Sequence, residues 1–127
     1  MKLKYLLLSL TLFVTSVFIQ DSKTNLISGK KWHAKAIQMG EQKMDVPPGE
    51  QNQMWMIFHK DGVHEVNANN SIKKGTWKFS KQKDSIHFIT EKGKEKSMKL
   101  EKLTKESLVL GFMENGMEAR VYLEKNK

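Results

Sequence analysis

Apolar and polar residues alternate with a period of two along most of the chain after its first 20 residues, and no apolar repeat of period 3.6 is sustained there. Such alternation is typical of strands that bury one face. It predicts eight strands: Lys30–Met39, Met54–His59, Val63–Ala68, Gly75–Ser80, Ser85–Thr90, Lys96–Leu103, Ser107–Met113 and Met117–Lys125. The sequence therefore predicts an all-β fold.

Short turns separate most of these strands. Asp61-Gly62 and Asn115-Gly116 supply the positive φ angles that tight hairpins require, so neighbouring strands should pair antiparallel in chain order. Strands with one apolar face either stack as a sandwich or close into a barrel. Closure leaves no exposed edge, and the chain has no cysteine with which a disulfide could support the fold. We expect an eight-stranded antiparallel up-and-down barrel.

One connection is much longer than the others. The segment Gly40–Gln53 is polar and contains both prolines of the chain. A connection of this length inside a small domain is often a functional lid or an Ω-loop. An ordinary surface loop is the alternative, and the sequence leaves the two open.

The first residues, MKLKYLLLSLTLFVTSVFIQ, differ from the rest. Lys2 and Lys4 precede an apolar and hydroxyl run, Tyr5–Ile19, which is the layout of a secretory signal peptide. The run is shorter than the roughly 20 residues that a membrane-spanning helix needs. We therefore expect residues 1–20 to be removed and residues 26–127 to form one periplasmic or secreted domain without a membrane span.

The formal net charge of +8 falls to +6 without residues 1–20, because they contain two lysines and no acid. The remaining lysines do not follow one face with interleaved aromatics, as a nucleic-acid surface would require. Many fall in or near predicted turns: Lys73, Lys74, Lys81, Lys83, Lys92, Lys94 and Lys96. The pattern favours solubility and loose attraction to anionic surfaces. We expect a monomer that binds no nucleic acid and is compatible with an envelope or protein partner.

The sequence contains no recognised catalytic arrangement. It has no cysteine, no Gly-x-Ser-x-Gly elbow, no HExxH motif and no Gly-rich phosphate loop. Its carboxylates alternate with lysines in turns and on outer faces, as solvated surfaces do. We expect a protein that is not an enzyme and needs no cofactor.

The stretch MWMIFHKDGVHEV holds two histidines that a hairpin could bring together. With a two-residue Asp-Gly turn, His59 would face His64 at about 5 Å, close enough to share a metal ion. With a three-residue Lys-Asp-Gly loop, His64 would face Phe58 instead. The two histidines would then point to opposite faces.

The hydrophobic pattern selects the three-residue loop, because a one-residue slip exchanges the two faces of a strand. The three-residue loop gathers the apolar set on one face: Met54, Met56, Phe58, His64, Val66 and Ala68. We therefore expect no metal site. The two methionines and His64 would suit cuprous copper, but methionine at strand spacing more often fills a core. His33 and His87 are expected to face solvent.

Several stretches, in this order and spacing, resemble the small bacterial lipocalin-like domain proteins. They are LISGKKW (26–32), MIFHKDGVHEV (56–66), KKGTWKF (73–79), LEKLTKESLVLGF (100–112) and ARVYLEK (119–125). The resemblance implies a barrel able to hold a small apolar molecule, with a long first loop over its mouth. It also implies a tryptophan that plugs one end, although Gly29 and Trp32 stand one residue further apart than in the family's Gly-x-Trp.

Two functions remain open. The first is an exported barrel that binds a small hydrophobic or amphipathic ligand. The second is a barrel filled by its own side chains that acts as a protein-binding or inhibitor-like module at the cell envelope. For the first, the ligand would enter beneath the long loop and contact Met54, Met56, Phe58, His64 and Trp77. His64 would then be either a satisfied core histidine or the ligand's polar partner, with affinity changing near pH 6.5.

Overall fold

The structure is a computed structural model that describes residues 22–125, so the predicted signal peptide lies outside the described residues. The described elements are α1 (22–27), β1 (Lys31–Met39), β2 (Gln42–Asp45), α2 (Pro48–Gln51), β3 (Met54–Phe58), β4 (Val63–Ala68), β5 (Ser71–Phe79), β6 (Ser85–Thr90), β7 (Glu95–Leu103), β8 (Ser107–Glu114) and β9 (Met117–Lys125). None of the described helices has the length and apolarity needed to cross a membrane.

The strands form one antiparallel sheet in the order β2-β1-β3-β4-β5-β6-β7-β8-β9, and the pairing of β1 with β9 closes it into a barrel. On its other edge β1 has two neighbours, because its first residues pair with β3 and its last residues pair with β2. The closed barrel therefore consists of eight strands, β1 and β3 to β9. This confirms the predicted all-β, up-and-down antiparallel barrel.

The segment Gly40–Gln53 is not the irregular loop that the sequence predicted. It contains β2, which forms a hairpin with the end of β1, and the short helix α2, which begins with Pro48 in its first turn. Proline is well tolerated there because the first helical N–H groups need no partner within the helix. Both elements are only four residues long, too short for a hydrophobic period to reveal them. The segment lies where β1 stops pairing with β3 and begins to pair with β2.

One end of the barrel is closed by α1 and by Trp32, which is fully buried. The Trp32 Nε1–H group donates a hydrogen bond to the Ile27 carbonyl oxygen at 2.9 Å. Gly29 N–H donates to the Phe58 carbonyl oxygen at 2.9 Å, which ties the chain after α1 to the end of β3. The plugging tryptophan implied by the resemblance is therefore present, despite the wider spacing from Gly29.

Burial of the inward-facing side chains decreases toward the other end of the barrel, which we call the open end. On β3, Phe58 is fully buried, whereas Met56 and Met54 are partly exposed. On β5, Trp77 is buried, whereas Lys73 is exposed. The largest fully buried side chains are Ile27, Trp32, Phe58, Ile86, Leu108, Leu110 and Leu123. The core is therefore filled toward the closed end.

A glycine on β5 allows that strand to lie close against β6. A Cβ atom at Gly75 would overlap the carbonyl oxygen of Ile89. Gly75 pairs with His64 on one side and Thr90 on the other, so it lies within the sheet and not in a turn. Any side chain at this position would force the two strands apart.

Candidate binding site

The β3–β4 hairpin has the register that the hydrophobic pattern predicted. Phe58 pairs with His64, and the His59 N–H group donates to the Val63 carbonyl oxygen at 2.8 Å. Gly62 has φ 98°, a left-handed conformation that a glycine adopts without steric cost. His59 and His64 consequently lie on opposite faces and form no pair. Within residues 22–125, no group of three or more His, Asp or Glu side chains could hold a metal ion.

On the outer face, His59 belongs to a charged group. Its Nε2 lies 3.1 Å from Glu65 Oε2, and Lys74 Nζ lies 3.4 Å from Glu65 Oε1. The hydrogen bond from His59, together with the nearby Lys74, holds the pKa of the Glu65 carboxyl below its ordinary value. These contacts organise the exterior of the hairpin and leave the interior to apolar groups.

Three of the five predicted ligand contacts form an aromatic floor inside the barrel. The Phe58 ring lies 4.8 Å from the His64 ring and 5.2 Å from the Trp77 ring, the latter in an edge-to-face arrangement. Phe88 completes the group, with its ring centroid 4.5 Å from that of His64. The Trp77 Nε1–H group donates to the His59 carbonyl oxygen at 2.8 Å, so its polar atom is satisfied. The floor is a packed structure that supports a site from below.

His64 is the polar member of this floor. It is 8% exposed, and its Nε2 is buried without a hydrogen-bond partner among the described residues. Burial lowers the pKa of His64 from 6.5 to about 4, while Glu65 raises it and His59 lowers it further. His64 is therefore neutral at pH 7. Nε2 is therefore not satisfied by another described residue, in contrast to the satisfied core histidine considered from the sequence. The change in ligand affinity expected near pH 6.5 stays a prediction.

Above the floor, the inner face carries apolar side chains that are only partly buried. Met54 and Met56, the other two predicted contacts, belong to it, and Met56 pairs with Val66 across the β3–β4 ladder. Ile37 pairs with Val121 in the same way across β1 and β9. We call this set the cup: Ile37, Met54, Met56, Val66, Met98, Phe112 and Val121. The hydrophobic pattern of the hairpin placed Met54, Met56 and Val66 on one face, and the sequence named the two methionines as ligand contacts. The other members lie on strands whose inward positions depend on pairings across the closed barrel.

Two lysines share the inner face with the cup near the open end. Lys73 on β5 pairs with Val66, and Lys96 on β7 pairs with the buried Phe88. Lys96 Nζ lies 5.3 Å from the centre of the Phe112 ring, a cation–π distance. The sequence placed Lys73 in a turn, which is wrong because β5 begins at Ser71. Lys96 was predicted as the first residue of its strand, and it does lie on β7, which begins one residue earlier at Glu95.

His33 does not face solvent, in contrast to the prediction, whereas His87 is exposed as predicted. His33 is 6% exposed because α2 covers it, and its Nδ1 lies 2.9 Å from the Gln51 carbonyl oxygen. A carbonyl only accepts, so Nδ1 carries the proton. His33 faces outward from β1, and the unexpected α2 explains its burial.

A surface hollow of about 360 Å³ lies on β5, β6 and β7. Its lining consists of Lys78, His87, Phe88, Ile89, Glu95, Lys96 and Ser97, of which Lys78, His87 and Ser97 form a cross-strand row on the outside of the barrel. Ligand sites are usually concave, apolar and well shielded from water. This hollow is shallow and lined largely by polar side chains, so the cup is the better candidate.

The chain is similar in structure to a lipocalin-like protein from Bacteroides uniformis ATCC 8492, with a TM-score of 0.58 and 16% identity, covering 80% of this chain and 99% of that one. It is also similar to an uncharacterized protein from Bacteroides eggerthii DSM 20697, with a TM-score of 0.58 and 15% identity, covering 76% and 98% of the two chains. No protein-family model matches the sequence, and no curated protein matches it. At these identities the likeness establishes the fold, and the lipocalin-like resemblance is confirmed at that level.

Proposed function

We propose that this protein binds a small hydrophobic or amphipathic molecule in the cup. One observation carries the proposal: above the aromatic floor, the inner face carries the seven apolar side chains of the cup, and all of them are only partly buried. A barrel with a packed interior alone would bury these side chains against one another. An eight-stranded barrel can hold one small ligand, and a ligand here would cover apolar surface that is now in contact with water.

The lining suits a guest of irregular shape. Met54, Met56 and Met98 have flexible, polarizable side chains that adapt to different outlines. Beneath them, His64 presents an unpartnered nitrogen to a ligand hydroxyl or to a bound water. Pockets that combine an apolar lining with a few polar groups are typical of small-molecule sites.

The proposal includes an exported, non-catalytic protein. Export is supported by the basic start and apolar run of residues 1–20. A binding role without chemistry is supported by the neighbours of His64: Phe58 and Gly75 lie opposite it on the two adjacent strands, and neither is a carboxylate or a second histidine that could form a catalytic pair with it. A carrier or scavenger of an apolar compound outside the cytoplasm fits these features.

The direct test is titration with the uncharged dye N-phenyl-1-naphthylamine, whose fluorescence rises in apolar surroundings. We expect saturable uptake of one dye per protein. Met54→Asp should weaken it by about tenfold or more, because a carboxylate would be desolvated by the dye. The matched control is Gln53→Asp, one residue earlier and exposed, which should bind as the parent protein does. Absence of saturable uptake, or equal uptake by both variants, would refute the cup.

A second function, binding of another protein at the open end, is favoured by exposed methionines. Met44, Met113 and Met117 are 58%, 62% and 48% exposed. Methionine-rich surfaces are common at adaptable protein interfaces. If dye uptake fails while substitution of these three by glutamine abolishes capture of a defined partner, this second function replaces the first.

A further inference from the structure

We infer that Lys73 and Lys96 select a ligand with an anionic head group and a single apolar tail, held tail inward in the cup. The inference rests on the proposed function and specifies the chemistry of its ligand. The two lysines are unusual because their places on β5 and β7 put them on the inner face that carries the cup.

The pairing of β5 with β4 and of β7 with β6 establishes that both lysines are at inward positions. Lys73 pairs with Val66, which is two residues from the buried His64 on β4, so successive inward positions lead from the floor to the lysine. Lys96 pairs with Phe88, which is 7% exposed and belongs to the packed core. Neither strand has a bulge in these pairings, so the alternation of faces is not interrupted between the core residues and the lysines. Both lysines therefore belong to the face that lines the barrel.

Their ammonium groups are not neutralised by the protein. Within residues 22–125, neither group forms an ion pair, and the contact described for Lys96 is with the Phe112 ring. The carboxylate that shares the inner face at this end is Glu114, the last residue of β8, and no ion pair joins it to either lysine. By contrast, Lys74 on the outward side of β5 pairs with Glu65. The inward lysines thus retain the capacity to bind an anion.

The placement of charge also determines the ligand's orientation. β5 and β7 flank β6, so their backbones lie about 10 Å apart. Lys73 and Lys96 lie diagonally across β6, because Lys96 is level with Phe88 and Trp77 whereas Lys73 is four residues from Trp77, about 13 Å along β5. A head group held by both would lie between them and be reached by two extended lysine side chains. At the floor, the neutral His64 and its aromatic neighbours offer no positive charge to an anion. An anionic amphiphile would therefore place its tail on the floor and its head at the open end. This differs from the arrangement considered from the sequence, in which His64 was the ligand's polar partner.

The experiment compares three probes with the same ten-carbon tail by displacement of N-phenyl-1-naphthylamine: decanoate, 1-decanol and decyltrimethylammonium. We expect decanoate to bind about tenfold tighter than 1-decanol and the cation to bind weakest, as charge-assisted contacts at a partly dry site imply. The double variant K73Q/K96Q should lose about tenfold in decanoate affinity and keep its affinity for 1-decanol and the dye within about twofold. Glutamine keeps a long side chain and removes only the charge.

The matched control is K78Q/K99Q, which removes the same charge from exposed, outward positions on the same two strands. It should leave all three affinities unchanged, which separates local contact from net charge. Equal binding of decanoate and 1-decanol, or equal loss in the two double variants, would overturn the inference while dye uptake still supports the cup. If K73Q/K96Q instead lost binding only to phosphatidylglycerol vesicles, the lysines would serve a membrane surface and the inference would be wrong. Failure of dye uptake itself would refute the proposed function as well.

Discussion

Acidification should weaken the fold through His64, and the size of the effect follows from its surroundings. The folded protein keeps this ring neutral because its pKa is about 4, whereas the unfolded chain protonates it near 6.5. Between these values the unfolded state binds more protons, so the free energy of unfolding falls as the pH falls. The contribution is complete above pH 6.5 and is lost progressively down to about pH 4. From pH 7.5 to pH 4.5 the loss should be about 2.5 kcal/mol.

The assay is urea unfolding followed by tryptophan fluorescence at a series of pH values. Carboxylates also titrate in this range, so the measured quantity is the difference between the parent protein and His64→Gln. That difference should shrink by about 2.5 kcal/mol between pH 7.5 and pH 4.5, because glutamine cannot bind a proton. His87→Gln, an exposed substitution on β6, should show the same pH dependence as the parent protein. A difference that stays constant with pH, or a His64 NMR titration near pH 6.5, would refute the reasoning.

The remaining predictions concern packing and export. Phe58→Ala should cost about 3 to 5 kcal/mol in denaturant unfolding, against about 0.5 for His59→Ala on the surface, and equal costs would contradict the observed register. Gly75→Ala should cost about 2 to 3 kcal/mol because its Cβ would meet the backbone of Ile89, whereas Gly49→Ala in α2, with open space around it, should be neutral or slightly stabilising. A larger loss of stability from Gly49→Ala than from Gly75→Ala would contradict the close approach of β5 and β6. N-terminal sequencing of the exported protein should show that about the first 20 residues are gone, and recovery of the initiating methionine from that fraction would count against export.

The fold was predictable from local patterns because each hairpin repeats the same information. Period-2 alternation located the eight barrel strands, and Gly62 with its flanking apolar residues was sufficient to fix the β3–β4 register. The elements that escaped prediction are the four-residue β2 and α2. Their stability comes from contacts with β1 and β3 and not from a repeat of their own, so a pattern search could not find them.

The candidate site was only partly predictable, for a related reason. The sequence identified Met54 and Met56, whose strand belongs to a hairpin with a register fixed by its hydrophobic pattern, but not Met98 or Phe112 on distant strands. Burial of His33 depends on α2, and the lowered pKa of His64 depends on rings contributed by β3 and β6. Such properties arise from the arrangement of several elements around one residue. They depend on which elements surround a residue in the closed barrel, and the linear order of residues does not show this.

The most direct test of the central claim is methyl NMR of protein labelled at its methionine methyl groups, titrated with 1-decanol. Methionines occur both inside the cup and outside it, so they report where the ligand binds. The account predicts saturable shifts at Met54, Met56 and Met98, with no shift at the exposed Met113. Shifts confined to Met44, Met113 and Met117, or no saturable shift at any methionine, would contradict an apolar binding site within the barrel.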